Sequence, residues 1–183
     1  MVPKAVFGEV QMNYSGLKFC DMVNGPGLRT VLFVSGCSHH CKGCHNPQTH
    51  DPNAGLQFTI GTMTELMDSL RETWCSGLTL SGGDPLFPDN RKEVCSIVES
   101  VKSEFGASRN ICMYTGYTWE ELQDQIRDGD VMLHRILRNV DILIDGRFVL
   151  DRKVPGLHWR GSDNQRILHL CNGQIRREWE LHA

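Results

Sequence analysis

The chain has 183 residues, enough for one domain with a substantial buried core. Hydrophobic residues make up 40% of the sequence and charged residues 22%, which is the balance of an ordinary globular protein. The net charge of -3 argues against nucleic acid as a partner, and the lack of an apolar run of about 20 residues argues against a membrane span.

The predicted elements start with a weakly patterned N-terminus. Residues 1–19 are expected to form a short strand or an N-terminal arm. Residues 30–35 are mostly β-branched and aromatic, which predicts a buried strand, and the prolines and glycine within residues 45–61 predict a long loop. Apolar residues then recur at helical spacing over 62–73, with a capping-box pattern that begins at Thr62.

The second half of the chain alternates strands with helices. Asn90 is expected to cap the first of these helices, and Gly129 to interrupt the second. An alternation of this kind implies an α/β fold with a parallel sheet. We expect strands at 77–81, 110–114, 141–144 and 166–170, and helical segments at 94–105, 118–128 and 133–140.

The strongest chemical signal is a set of three cysteines within eight residues, Cys37, Cys41 and Cys44. A closed zinc site uses four protein ligands, and an ordinary four-iron cluster also takes four cysteines. No fourth cysteine lies nearby, because the neighbours in the sequence are Cys20 and Cys75. One coordination position is therefore left open, where a substrate or cosubstrate can bind.

The other five cysteines are scattered without a ligand-like spacing. The chain length and an N-terminus without a long apolar core argue against a secreted disulfide framework. We therefore expect free thiols in a reducing compartment, the cytoplasm. Cys95 and Cys112 fall within apolar patterns and are expected to be core residues.

Four candidate site segments follow directly after predicted strands. They are Cys37, residues 82–83, residues 114–116 and residues 145–146. Parallel α/β sheets place their ligand sites at the carboxyl ends of the strands. The sequence therefore predicts one site at this edge of the sheet.

Motifs around the cysteines resemble those of the radical S-adenosylmethionine (SAM) superfamily, in which a Gly-Gly-Asp/Glu-Pro sequence, here at residues 82–85, follows the cysteine loop. Asn-Gly-Pro-Gly at 24–27 and Cys-His-Asn-Pro at 44–47 resemble the activating enzymes of glycyl-radical enzymes. The sequences at 145–148 and 159–166 are similar to the branch that activates anaerobic ribonucleotide reductases. A single tetrapeptide would be weak evidence, but together these motifs are specific.

The resemblance implies a fold and a domain organisation. It covers about residues 20–170, which is nearly the whole chain. It implies a partial parallel β/α barrel, here a short radical SAM core, within a single domain that spans residues 1–183. An open barrel of this kind would leave its mouth and one side free for a macromolecular substrate.

The resemblance also implies the cofactors. Cys37, Cys41 and Cys44 would hold three irons of a 4Fe-4S cluster, and the fourth iron would bind the amino and carboxylate groups of SAM. Electron transfer into the sulfonium would then release a 5′-deoxyadenosyl radical. Thiolates suit soft iron, and such clusters reach very low potentials.

The implied SAM contacts lie in two segments. The residue before the third cysteine is aromatic in many superfamily members, whereas Gly43 here offers only its backbone to adenine. The turn that contains Gly83 would hold the methionine end, so we expect Gly83→Val to weaken SAM binding and to leave the cluster in place. The implied SAM-binding residues are Gly43, Cys44, His45, Gly82, Gly83 and Asp84.

The activity implied by the resemblance is abstraction of hydrogen from a backbone glycine of anaerobic ribonucleoside-triphosphate reductase, with reduced flavodoxin or a similar protein as electron donor. Two alternatives stay open. One is activation of another glycyl-radical enzyme, such as pyruvate formate-lyase. The other is a non-catalytic zinc-binding or electron-transfer module, in which His39, His40 or His45 completes a zinc site.

Overall fold

The computed structural model describes residues 12–179, in which eight strands form one sheet and four α-helices connect or flank them. The strands are β1 Asn13–Asp21, β2 Arg29–Val34, β3 Leu56–Gln57, β4 Gly77–Gly82, β5 Asn110–Tyr114, β6 Ile142–Asp145, β7 Arg166–Cys171 and β8 Gln174–Glu178. The helices are α1 Ile60–Arg71, α2 Arg91–Phe105, α3 Trp119–Arg127 and α4 Val131–Asn139. The α/β class expected from the sequence is therefore confirmed.

The sheet is mixed, with the strand order β3-β1-β2-β4-β5-β6-β7-β8. The four central strands, β2, β4, β5 and β6, are parallel to one another, as the sequence predicted. Strand β7 pairs antiparallel with β6, so the expectation of a wholly parallel sheet is wrong at this edge. Strand β7 is antiparallel because the connection over residues 146–165 contains only one short 3-10 helix. The chain therefore returns to the end of β6 at which it left.

The two edge regions of the sheet compare differently with the prediction. Residues 13–19 belong to β1, which pairs antiparallel with β2 and β3, so the predicted strand is confirmed there and the alternative of an arm is wrong. The first part of the expected arm, residues 1–11, lies outside the described residues. Strand β8 was not predicted, because all five of its residues are exposed and give no alternation of apolar and polar side chains.

The helix starts show which local signals the sequence carries. Helix α3 begins as predicted, with a reciprocal capping box between Thr118 and Glu121. Helix α1 begins two residues earlier than predicted, because Thr59 is the cap and Thr62 its partner. Asn90 makes no capping bond to α2; its amide donates instead to the backbone oxygens of Ser35 at 2.8 Å and Asp84 at 3.1 Å.

The two faces of the sheet have different partners. One face packs against all four helices in a continuous apolar core, which contains Leu32 of β2, Leu80 of β4 and Met113 of β5. The opposite face carries a smaller cluster of Cys112, Ile142, Ile144 and Ile167, to which no helix contributes. Burial of Cys95 and Cys112 agrees with the prediction that both are core residues. No helix among residues 12–179 is long and apolar enough to cross a bilayer.

The β1–β2 loop is held by a buried carboxylate, and we expect its stability to depend on acid pH. Asp21 accepts hydrogen bonds from the backbone N–H groups of Val23 and Asn24, both at 2.8 Å, and from Lys18 at 2.7 Å. Burial raises the pKa of Asp21, but these hydrogen bonds outweigh it and lower the pKa to about 2. The unfolded chain has a pKa of about 3.9, so this stabilisation is present above about pH 4 and is lost as the pH falls toward 2.

Urea unfolding of the metal-free protein at pH 5 and pH 3 measures this effect. The loss of stability between the two pH values should be smaller in Asp21→Asn, which keeps the shape of the side chain but does not titrate. An identical loss in both proteins would show that Asp21 does not contribute to the pH dependence.

Candidate metal centre

A cavity of about 370 Å³ opens at the carboxyl ends of the parallel strands, which is a volume suited to a small-molecule ligand. The sequence predicted a site at this edge of the sheet. Every residue predicted to hold the cluster or SAM lines the cavity: Cys37, Cys41, Gly43, Cys44, His45, Gly82, Gly83 and Asp84. The end of β5 and the 146–165 connection also line the cavity.

The cysteine loop starts three residues after β2 and is fixed by backbone pairing. The N–H of Gly36 donates to the backbone oxygen of Thr49 at 2.8 Å, and the N–H of Cys37 donates to the backbone oxygen of His50 at 3.1 Å. Gly43, at φ +74°, then allows a turn in which the Cys44 N–H donates to Cys41 at 3.0 Å. All three cysteines are free and partly buried, so their sulfur atoms are available to a ligand in the cavity.

Backbone N–H groups act on all three sulfur atoms. The N–H of Asn46 donates to the Cys44 sulfur at 3.4 Å, whereas those of His39 and His40 act to lower the pKa of Cys37, as that of Phe148 does for Cys41. Burial nevertheless raises the pKa of the Cys37 thiol to about 11 and also raises the pKa of Cys41. Metal binding requires the thiolates, which N–H donors stabilise, so this arrangement suits anionic sulfur.

The donor set fits a 4Fe-4S cluster with one open iron. Among residues 12–179, no three Cys, His, Asp or Glu side chains converge as ligands of a single metal ion. A cubane cluster does not need such convergence, because each thiolate binds a different iron atom. Three soft sulfur donors in one cavity are what such a cluster requires from the protein.

The Gly-Gly turn after β4 packs on the backbone that leads into the cysteine loop. The N–H of Gly83 donates to Val34 and that of Asp84 to Gly36, both at 2.8 Å. Glycine is needed at position 82 for its backbone conformation, at φ +98°. At position 83 the backbone angle is ordinary, but there is no room for a side chain, because a Cβ would lie 2.5 Å from the Gly36 oxygen. The structure therefore leads us to expect that Gly83→Val also disturbs the cluster, because the added atoms would displace the entry to the cysteine loop.

The buried carboxylate of Asp84 accepts hydrogen bonds from several groups of the protein. Asp84 is 1% exposed, and its carboxylate accepts hydrogen bonds from Leu86 N at 2.8 Å, Thr115 Oγ1 at 3.0 Å and Gly116 N at 2.9 Å. Its second oxygen also lies 2.9 Å from Nε2 of His39. Protein groups thus already contact both oxygens of the carboxylate that was expected to bind the amino group of SAM.

Residues 159–166, to which no separate roles could be assigned from the sequence, are held by several hydrogen bonds. Gln165 Oε1 accepts from Gly161 N at 2.8 Å, while its Nε2 donates to Gly146 O at 2.9 Å. Ser162 Oγ accepts from Val149 N at 3.1 Å. These bonds fix the segment against the chain that follows β6, where it forms one wall of the cavity.

Trp159 is a cavity residue that the sequence analysis did not single out. Its backbone has φ +52°, which is uncommon outside glycine, and its ring packs edge-on against Trp179 at 5.2 Å. Trp159 is one of the residues that line the cavity. The motif at 159–166 was the only sequence signal for it, since its partners come from distant segments.

The Asn-Gly-Pro-Gly loop is anchored by a buried cation. Arg29 is 0% exposed and donates to Thr79 Oγ1 at 2.6 Å, Leu78 O at 2.7 Å and Pro26 O at 2.9 Å. Burial lowers the pKa of its guanidinium. The anchored loop brings Asn24 to the cavity.

The chain is similar to known proteins over most of its length. A family model described as a 4Fe-4S single cluster domain matches residues 23–168. The chain is 43% identical to an anaerobic ribonucleoside-triphosphate reductase-activating protein of Enterobacteria phage T4, over 88% of this chain and 97% of the relative. Proteins of the same name from Vibrio cholerae and Escherichia coli K12 are 42% and 39% identical, over 86% and 87% of this chain and 97% and 99% of theirs. The chain therefore belongs to the family of anaerobic ribonucleoside-triphosphate reductase-activating proteins.

Proposed function

We propose that this protein generates the glycyl radical on an anaerobic ribonucleoside-triphosphate reductase. When bound, a 4Fe-4S cluster and SAM supply the chemistry, which is reductive cleavage of SAM and removal of a hydrogen atom from a backbone glycine of the reductase. The observation that carries the proposal is the convergence of Cys37, Cys41 and Cys44 with the Gly-Gly turn on one cavity. The name shared by relatives that match nearly end to end favours the reductase over pyruvate formate-lyase as the target.

We assign the metal to the three cysteines and the SAM molecule to the rest of the cavity. The backbones of Gly82 and Gly83 would hold the methionine end, since both lie beside the cysteine loop. The backbone of Gly43, Cys44 and His45 would contact adenine. Asp84 would support this site by holding the surrounding loops, because its oxygens are already occupied.

Trp159 would supply the aromatic surface that Gly43 lacks, which predicts a fluorescence signal. S-adenosylhomocysteine carries the same adenosine group as SAM, and its binding to the metal-free protein should quench tryptophan fluorescence. Stacking of a base on an aromatic ring contributes about 1–3 kcal/mol, so Trp159→Phe should lose the quenching and bind with up to about tenfold lower affinity. Trp74→Phe is the matched control, because Trp74 packs against the helical core. Full quenching in Trp159→Phe would exclude this indole from the adenine site.

The wider organisation follows from the same proposal. The parallel strands β2, β4, β5 and β6 would form the wall of a partial β/α barrel in a single radical SAM domain. Reduced flavodoxin or a similar protein would provide the electron. The eight free cysteines support a reducing compartment, which we take to be the cytoplasm.

Anaerobic reconstitution tests the proposed function. The protein loaded with iron and sulfide should be brown, bleach in air and form 5′-deoxyadenosine from SAM under reducing conditions. Mixed with its reductase, it should produce a glycyl radical that is visible by electron paramagnetic resonance (EPR), and mixed with pyruvate formate-lyase it should not. A colourless protein that binds zinc instead would favour the non-catalytic alternative and overturn the proposal.

A further inference from the structure

His39, in the middle of the cysteine loop, is held from two sides. Its side chain is 5% exposed, and Nε2 lies 2.9 Å from Oδ2 of Asp84, the acidic residue of the Gly-Gly-Asp-Pro motif. On the other side, Nε of Arg147 donates to Nδ1 of His39 at 3.1 Å. Because Arg147 can only donate, Nδ1 must accept, and the ring hydrogen must lie on Nε2, which then donates to Asp84.

The anchor of His39 is itself rigid. Asp84 is bound to the end of β5 through Thr115 Oγ1 at 3.0 Å and Gly116 N at 2.9 Å. The His39 ring also packs on Gly116, where an added Cβ would lie 2.2 Å from the ring carbon Cδ2. The ring of Tyr117 completes the pocket edge-on, with centroids 4.5 Å apart. The cysteine loop is thus bound to β5 through one imidazole.

The backbone of the same residue points at a predicted cluster ligand. His39 follows Cys37 by two residues, and the backbone N–H groups of His39 and His40 act to lower the pKa of the Cys37 thiol. Hydrogen bonds to cluster sulfur raise the reduction potential, because they stabilise the extra negative charge of the reduced form. The orientation of these N–H groups depends on the position of the loop that the His39 side chain fixes.

We propose that the Asp84–His39 pair is a clamp that sets the reduction potential of the cluster by holding the backbone N–H groups of the loop against Cys37. His39 and Asp84 are positioning residues in this scheme, and neither contacts SAM. The consequence for the potential rests on the proposed function, since it requires a cluster on the three cysteines. The clamp geometry belongs to the metal-free chain and is tested separately.

Three variants isolate the clamp by EPR-monitored redox titration of the reconstituted protein. His39→Asn is too short to reach Asp84, so the midpoint potential should shift to a more negative value. His39→Gln places an N–H near the position of Nε2 and should return the potential toward that of the wild type. Ser38→Ala is the matched control, because Ser38 is exposed in the same loop. An unchanged potential in His39→Asn, or an equal shift in Ser38→Ala, would overturn the proposal.

A second measurement needs no cluster. Long-range ¹H–¹⁵N correlation spectra of the metal-free protein should show His39 with hydrogen on Nε2 and a bare Nδ1. A ring with hydrogen on Nδ1, or a mixture of tautomers, would contradict the clamp even if the protein is an active enzyme. If the spectra agree but the wild-type protein assembles no cluster, the proposed function fails and the clamp stands as a structural feature.

Discussion

Replacing Cys37, Cys41 or Cys44 singly with Ala is expected to abolish both the iron–sulfur chromophore and the cleavage of SAM. Each thiol lines the same cavity, and no nearby cysteine can take its place. The three side chains are only partly buried, so the fold should survive the loss of one sulfur atom. Iron and sulfide content per chain and the yield of 5′-deoxyadenosine measure the effect, which should approach complete loss.

The remaining cysteines provide matched controls for this experiment. Cys171 is exposed at the end of β7, and Cys75 is buried against the helical core. Cys171→Ala and Cys75→Ala should both retain the cluster, although Cys75→Ala removes a core side chain and should lower stability by about 1 kcal/mol. Loss of the cluster in a folded Cys75→Ala protein would mean that the ligand set is wrong.

Gly83→Ala is expected to lower both the stability and the cluster content of the protein. The new Cβ would lie 2.5 Å from the oxygen of Gly36 and 2.9 Å from that of Thr49. Both are backbone atoms, so relief requires movement of the segment that carries Cys37. Overpacking of this kind costs about 1–3 kcal/mol, and we expect a lower melting temperature of the metal-free protein together with incomplete iron incorporation.

Gly61→Ala is the control for this second prediction. Gly61 lies in α1, and a Cβ there would meet its first neighbour at 3.5 Å, an ordinary contact. Alanine also favours the helix by up to about 1 kcal/mol, so this variant should be at least as stable as the wild type. A Gly83→Ala protein with normal stability and a full cluster would show that the turn does not support the cysteine loop.

Local patterns explain which elements could be predicted from the sequence. Strand β5 was predicted at its observed bounds, because it is an apolar segment between polar ones, and α3 was predicted because its capping box lies within four residues. Strand β8 could not be predicted, because its side chains are exposed on both faces of the strand. The direction of β7 depends on where the chain turns after β6, which no local pattern encodes.

Local patterns also explain which features of the candidate site could be predicted. The cysteines could be predicted because their spacing is local and their chemistry is distinctive. The contacts of Asp84 could not, because its partners come from the cysteine loop, the segment after its own turn and the end of β5. The same holds for Gly83, whose constraint is the oxygen of Gly36, forty-seven residues earlier in the chain.

The placement of every helix on one face of the sheet has a practical consequence for electrochemistry. The turn between α3 and α4 lies on that helical side, and at Gly129 no atom lies within 4 Å of where a Cβ would be. A tether attached there would bind the protein to an electrode by its helical layer. Every immobilised molecule would then turn the helix-free face of the sheet to the solution, while the electrode replaces the natural electron donor.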